Sequence, residues 1–155
     1  MGAIWTSVVA VAGTLLGSVI THTFQRLASR RGELFTRSEA LRQERIAAYS
    51  TFAAAVEDYR HGQANRWYRK QGDPDGEAFI TARDEAHRLR TVARQALYKV
   101  KLLTDDREVT LAAELAYQCT RDVSIAQDQR DRDSRDTQAR QAIEAFVSRA
   151  APLVR

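Results

Sequence analysis

Cysteine, proline, glycine and lysine are all scarce in this 155-residue chain, and each scarcity excludes something. A single cysteine, Cys119, rules out an internal disulfide and a cysteine-based zinc site, and is compatible with a reducing compartment. Two prolines and seven glycines leave few helix breakers among abundant alanine, so the chain predicts an all-α fold. Only Lys70, Lys99 and Lys101 accompany the many arginines, a bias of genome composition before any demand for phosphate contacts. There is no Walker loop, dinucleotide fingerprint, HExxH or hydrolase elbow. Ser38, Ser50 and Ser124 stand without a local motif, and Cys119 has no nearby base, so the sequence predicts no catalytic residue, no cofactor and no enzyme activity.

Charge is missing from one stretch altogether. Ala3 to Ile20 reads AIWTSVVAVAGTLLGSVI, and the first charged side chain after it is Arg26. A run of this length can cross the hydrocarbon core of a bilayer as a helix. A secretory signal would show a basic leader and a small-residue cleavage site, and neither is evident. Arg26, Arg30, Arg31 and Arg37 follow the run, so the positive-inside rule predicts an inner-membrane, single-pass topology with the N-terminus outside and the remainder in the cytoplasm. Gly13 and Gly17, four apart, would let two such helices approach closely, which predicts homo-oligomer contacts within membrane lipid.

The rest is charged, with a net of +4 and a pI near 9.6. Leu27, Leu34, Leu41, Ala48 and Ala55 recur every seven residues. That spacing predicts a long first helix, a charged coiled-coil-like stalk that broadens into a bundle face from Ile46. Gln71 to Gly76, with Pro74 between Gly72-Asp73 and Asp75-Gly76, ends it. Phe79, Ala82, Ala86, Leu89, Ala93, Ala96, Val100 and Leu103 form the stripe of a second helix. Asp105 with Glu108 reads as the capping pair of a third, whose apolar face carries Val109, Ala112, Leu115, Ala116, Cys119 and Val123. Helices two and three are expected to form an antiparallel hairpin. Gln127 to Gln141 has no apolar period, and reads as either a solvated helix held by i,i+4 pairs or a loose linker. Ile143, Phe146 and Val147 mark a short amphipathic helix that Pro152 stops. The predicted organisation is an anchor over residues 1–25, a stalk and first bundle helix over 26–71, a hairpin over 77–126 and a charged segment with a short helix over 127–155.

Three surfaces carry candidate chemistry. Glu57 with His61, and Asp84 with His87, invite a metal reading, but the spacing and donor set do not match the carboxylate-bridged iron pattern, so no metal is predicted. Arg66, Trp67, Tyr68, Arg69 and Lys70 interleave basic and aromatic residues as a partner surface would, the competing reading being that Trp67 and Tyr68 cap the bundle. Arg83, Arg88, Arg90, Arg94, Lys99 and Lys101 give the second helix a basic excess. That excess would serve a nucleic-acid surface binding without sequence preference, or simply complement the acidic third helix.

The run VVAVAGTLLGS before an arginine-rich helix, then RIAAYSTFAAAVEDYR and ALYKVKLLTDDREVTLAAELA, resembles the small actinobacterial membrane proteins of the KilB type. The stretch Arg45 to Tyr49 and the turn Leu102 to Asp106 with Val109 carry the likeness. The resemblance implies a membrane-associated helper in the intercellular spread of a conjugative plasmid, and it transfers no functional residue. On this reading the chain is a non-enzymatic, membrane-anchored scaffold. The alternatives are a membrane-tethered nucleic-acid binder and a holin-like lysis protein, the last disfavoured because one span with a large soluble domain makes a poor pore.

Overall fold

The computed structural model describes the backbone of residues 2–155 and the side chains of residues 36–155. The expectations for Ala3 to Ile20, and for Gly13 and Gly17, lie outside the residues described in full. Within those residues no helix is long and apolar enough to cross a membrane. The chain divides into two units, Met1–Leu41 and Arg42–Arg155, and the second holds the hydrophobic core.

The described chain is helical, with no strand: α1 (Gly2–Gly72), α2 (Glu77–Leu103), α3 (Arg107–Asp122), a 3₁₀ turn (Val123–Ile125), α4 (Gln129–Ala150) and a final 3₁₀ turn (Ala151–Val154). Side-chain contacts fix the helix directions. Arg45 reaches the carbonyl of Leu103, while Gly62 lies against Ala86 and Leu89, so α1 and α2 run antiparallel. Along α4 and the 3₁₀ turn that follows it the partners of α1 also fall in reverse order: Arg60 with Asp136, Phe52 with Phe146 and Arg42 with Val154. Tyr59 meets Tyr117 and Gln63 meets the Arg121 carbonyl, so α3 runs parallel to α1 and antiparallel to both neighbours. This is an up-down-up-down four-helix bundle. No Cα of α2 comes within 8 Å of one in α4, so those two helices flank the α1 and α3 pair.

Alanine dominates the core, at Ala48, Ala93, Ala112, Ala113, Ala116, Ala139 and Ala142, and lets the backbones approach closely. Bulk comes from Phe52, Val56, Tyr59, Val100, Val109 and Phe146, each almost fully buried. Phe52 and Phe146 meet edge to face at 4.8 Å between centroids, and Tyr49 meets Phe146 in the same way at 6.0 Å.

Two local expectations change. The cap of α3 is Asp106, not Asp105: its Oδ1 accepts from the Glu108 and Val109 amides at 2.8 and 3.2 Å. The reason lies upstream, where buried Thr104 ends α2 in extended backbone and its hydroxyl accepts from the Asp106 amide. Gln127 to Gln141 is neither a linker nor free of tertiary contacts. It supplies most of α4, capped by Asp128, whose carboxylate accepts from the Asp131 amide while Asp131 accepts from the Gln127 amide. The bond from the Gln127 amide, with the Arg135 ion pair, holds Asp131 below the usual carboxylate range.

Candidate functional site

Polar side chains of α1 terminate the other helices. Arg45 Nε donates to the Leu103 carbonyl at 2.8 Å, at the C-terminal end of α2 where orphan carbonyls and the helix dipole favour a cation. Gln63 donates to the Arg121 carbonyl and the Ser124 hydroxyl, and Trp67 Nε1 donates to the Ala126 carbonyl at 2.8 Å. Arg42 Nε donates to the Val154 carbonyl at 2.9 Å. Buried Arg60 bonds both Glu57 and Asp136, tying α4 to α1. The Arg60 hydrogen bonds lower the Glu57 carboxyl below its ordinary range, and those to Glu57 and then Asp136 raise the guanidinium. None of these links shows in an apolar period, because each is made by a polar residue.

The stretch Arg66 to Lys70 is divided by the fold. Trp67 is 4% exposed, whereas Tyr68 is 45% exposed, with the Arg132 guanidinium 4.5 Å from its ring centroid. Arg69 and Lys70 stand in solvent. Arg66 turns into a cavity of about 360 Å³ whose wall also includes Tyr59, Gln63, His87, Arg90, Arg121, Asp122, Ser124 and Ile125. Burial pushes the Tyr59 phenol up to about 12, with Tyr117 adding to the effect.

The basic excess of α2 is partly neutralised in place. Arg83 pairs with Asp84, Arg88 with Glu85 and Lys101 with Glu114 of α3. Beside that last bridge Tyr98 and Leu102 on α2, and Leu111 and Leu115 on α3, are all exposed. They give the hairpin an apolar outer patch that the core does not need. A second apolar feature, of about 410 Å³, runs between α1 and the end of α4, lined by Ile46, Tyr49, Ala53, Phe146, Val147 and Val154.

The candidate metal residues do not converge. Glu57 is engaged by Arg60 and lies 3.4 Å from His61, Asp84 is engaged by Arg83, and His87 faces the cationic cavity. Among the described residues no group of three or more His, Cys, Asp and Glu is placed to hold a metal. Cys119 is half-buried and burial raises its thiol, the opposite of what activates a nucleophile.

Fold and surface together define a small all-helical bundle protein with a basic cavity at one side and an apolar patch on the α2 and α3 face. The chain belongs to the KilB plasmid transfer protein family, whose family model matches residues 46–154. No curated protein and no solved structure matches it.

Proposed function

We propose that this chain is a non-enzymatic accessory of plasmid transfer, held at the inner membrane by Ala3 to Ile20 and presenting its helical bundle to protein partners in the cytoplasm. The family match carries the reading, since residues 46–154 are almost coextensive with the bundle Arg42–Arg155. The uncharged run with arginines on its C-terminal side supports the anchor and its orientation. Exposed Tyr98, Leu102, Leu111 and Leu115 support an interaction role, because apolar side chains grouped in solvent are characteristic of association surfaces. In this reading Gly13 and Gly17 bring membrane helices together.

Cell fractionation with a tagged full chain tests it. The protein should sediment with membranes and be released only by detergent, Leu15→Arg should move it to the soluble fraction, and loss of the gene should reduce plasmid spread. Recovery of the unaltered chain in the soluble fraction refutes the anchor. Unchanged spread refutes the transfer role. A Gly13→Leu, Gly17→Leu pair that leaves oligomer size in detergent unchanged refutes the membrane contact. The nucleic-acid alternative has less support, because three cations of α2 are already paired with carboxylates.

A further inference from the structure

The cavity between α1, α2 and the end of α3 gathers more positive charge than its neighbours neutralise. Three guanidiniums, Arg66, Arg90 and Arg121, stand around one opening with a single carboxylate, Asp122. That carboxylate is spent on Arg121, at 2.8 Å. Neither Arg66 nor Arg90 forms an ion pair with a carboxylate among the described residues, in a bundle where Arg60, Arg83, Arg88, Arg121, Arg132 and Arg135 all do.

The floor is polar as well. Tyr59 is 1% exposed and lines the cavity. A phenol in the wall of a cavity can donate its hydroxyl proton to a ligand oxygen. Because burial raises its pKa to about 12, this phenol keeps its proton and is available as a donor at neutral pH.

The net balance of the wall is two positive charges, before any contribution from His87. Guanidiniums bind oxyanions through paired, planar hydrogen bonds, and a phosphate group offers more acceptor oxygens than a carboxylate. A cavity of about 360 Å³ is the size of a small-molecule site. Duplex DNA would instead need unpaired cations spread along a surface, since its charges follow the helix axis.

We propose that this cavity binds a small dianionic ligand, a phosphate or diphosphate ester, with Arg66, Arg90 and Arg121 as counter-charges and Tyr59 as a hydrogen-bond donor. Asp122 opposes binding by occupying Arg121.

Calorimetric titration of the full chain in detergent with inorganic pyrophosphate, and separately with adenosine diphosphate, tests this. Binding to the unaltered chain is expected at millimolar ligand or below. Arg66→Gln and Arg90→Gln should each weaken it about tenfold. Tyr59→Phe should weaken it severalfold, and Asp122→Asn should tighten it, a gain that a merely structural role would not produce. Arg83→Gln removes the same charge from outside the cavity and should leave binding unchanged. Circular dichroism checks that each variant keeps its helix content, and for a variant that loses it the Lys conservative change at the same arginine takes its place, retaining charge and partly restoring binding. Tighter binding of adenosine diphosphate than of pyrophosphate assigns the ligand to the nucleotide class. Equal binding assigns recognition to the phosphates alone. Absence of binding by the unaltered chain overturns the proposal, as does equal weakening by Arg83→Gln. Displacement of pyrophosphate by duplex DNA at lower concentration, with the same dependence on Arg66 and Arg90, overturns it in favour of nucleic acid.

Discussion

Arg45 donates through Nε to the carbonyl of Leu103 at 2.8 Å, joining α1 to the C-terminal end of α2 across 58 positions of sequence. Both residues belong to the segments that carry the family likeness, and the bond gives that likeness a physical content. It closes the turn before Asp106 and sets the register in which α2 lies against α1.

Arg45→Ala should therefore lower stability by about 1–2 kcal/mol, the value of a charge-assisted bond to a helix end. Urea unfolding followed by circular dichroism measures the loss. Hydrogen exchange should show it concentrated in the last turn of α2, whereas Lys at the same position should retain part of the dipole interaction.

Phe146 is fully buried between Phe52 and Tyr49, and Phe146→Ala should cost about 3–5 kcal/mol in the same measurement. Tyr49→Phe should be neutral or mildly stabilising. Its hydroxyl is buried without a partner among the described residues, so nothing made in the folded state is lost with it.

Asp136→Ala removes the α4 partner of buried Arg60 and should destabilise by about 1–3 kcal/mol, moderated by Glu57, which still contacts the guanidinium. The pH profile follows from two directions. Glu57 is lowered in the fold, so its contribution is present above the ordinary carboxylate range and is lost as pH falls through the folded value. Tyr59 is raised from 10 to about 12, so its contribution is present below pH 10 and is lost as pH rises toward 12. Urea midpoints across pH should fall on both flanks, with Glu57→Gln flattening the acid side and Tyr59→Phe the alkaline side.

At Gly62 α1 packs closely against α2: a Cβ there would meet Leu89 Cδ1 at 2.6 Å. Gly62→Ala should be close to neutral, because a helix-propensity gain of up to about 1 kcal/mol offsets the rotation of a flexible leucine end. Gly62→Val should destabilise by about 1–3 kcal/mol through overpacking, as measured by thermal unfolding.

Trp67 reports its own burial. In a Trp5→Phe chain the remaining emission should be blue-shifted and resistant to iodide, since the indole is 4% exposed and bonded to the Ala126 carbonyl. A red-shifted, readily quenched signal would contradict that position.

The sequence by itself determined the first three helices, the punctuation at Pro74 and at Thr104 to Asp106, the apolar face of α2, most of that of α3, where Leu115 is left 52% exposed, and the family. Scarce breakers and a regular apolar period are local properties of the chain, and helix formation answers to them. Only the tertiary structure decided that the charged stretch after Gln127 is the body of α4, because its attachment runs through Arg60 to Asp136 and through Arg132 to the Trp67 and Tyr68 rings. It also decided that Trp67 turns inward while Tyr68 stays out, and that Arg66, Arg90 and Arg121 share one cavity. Hydrophobic periodicity registers what a helix buries, but not which polar group it meets, and that depends on residues distant in the chain brought together only when the bundle closes.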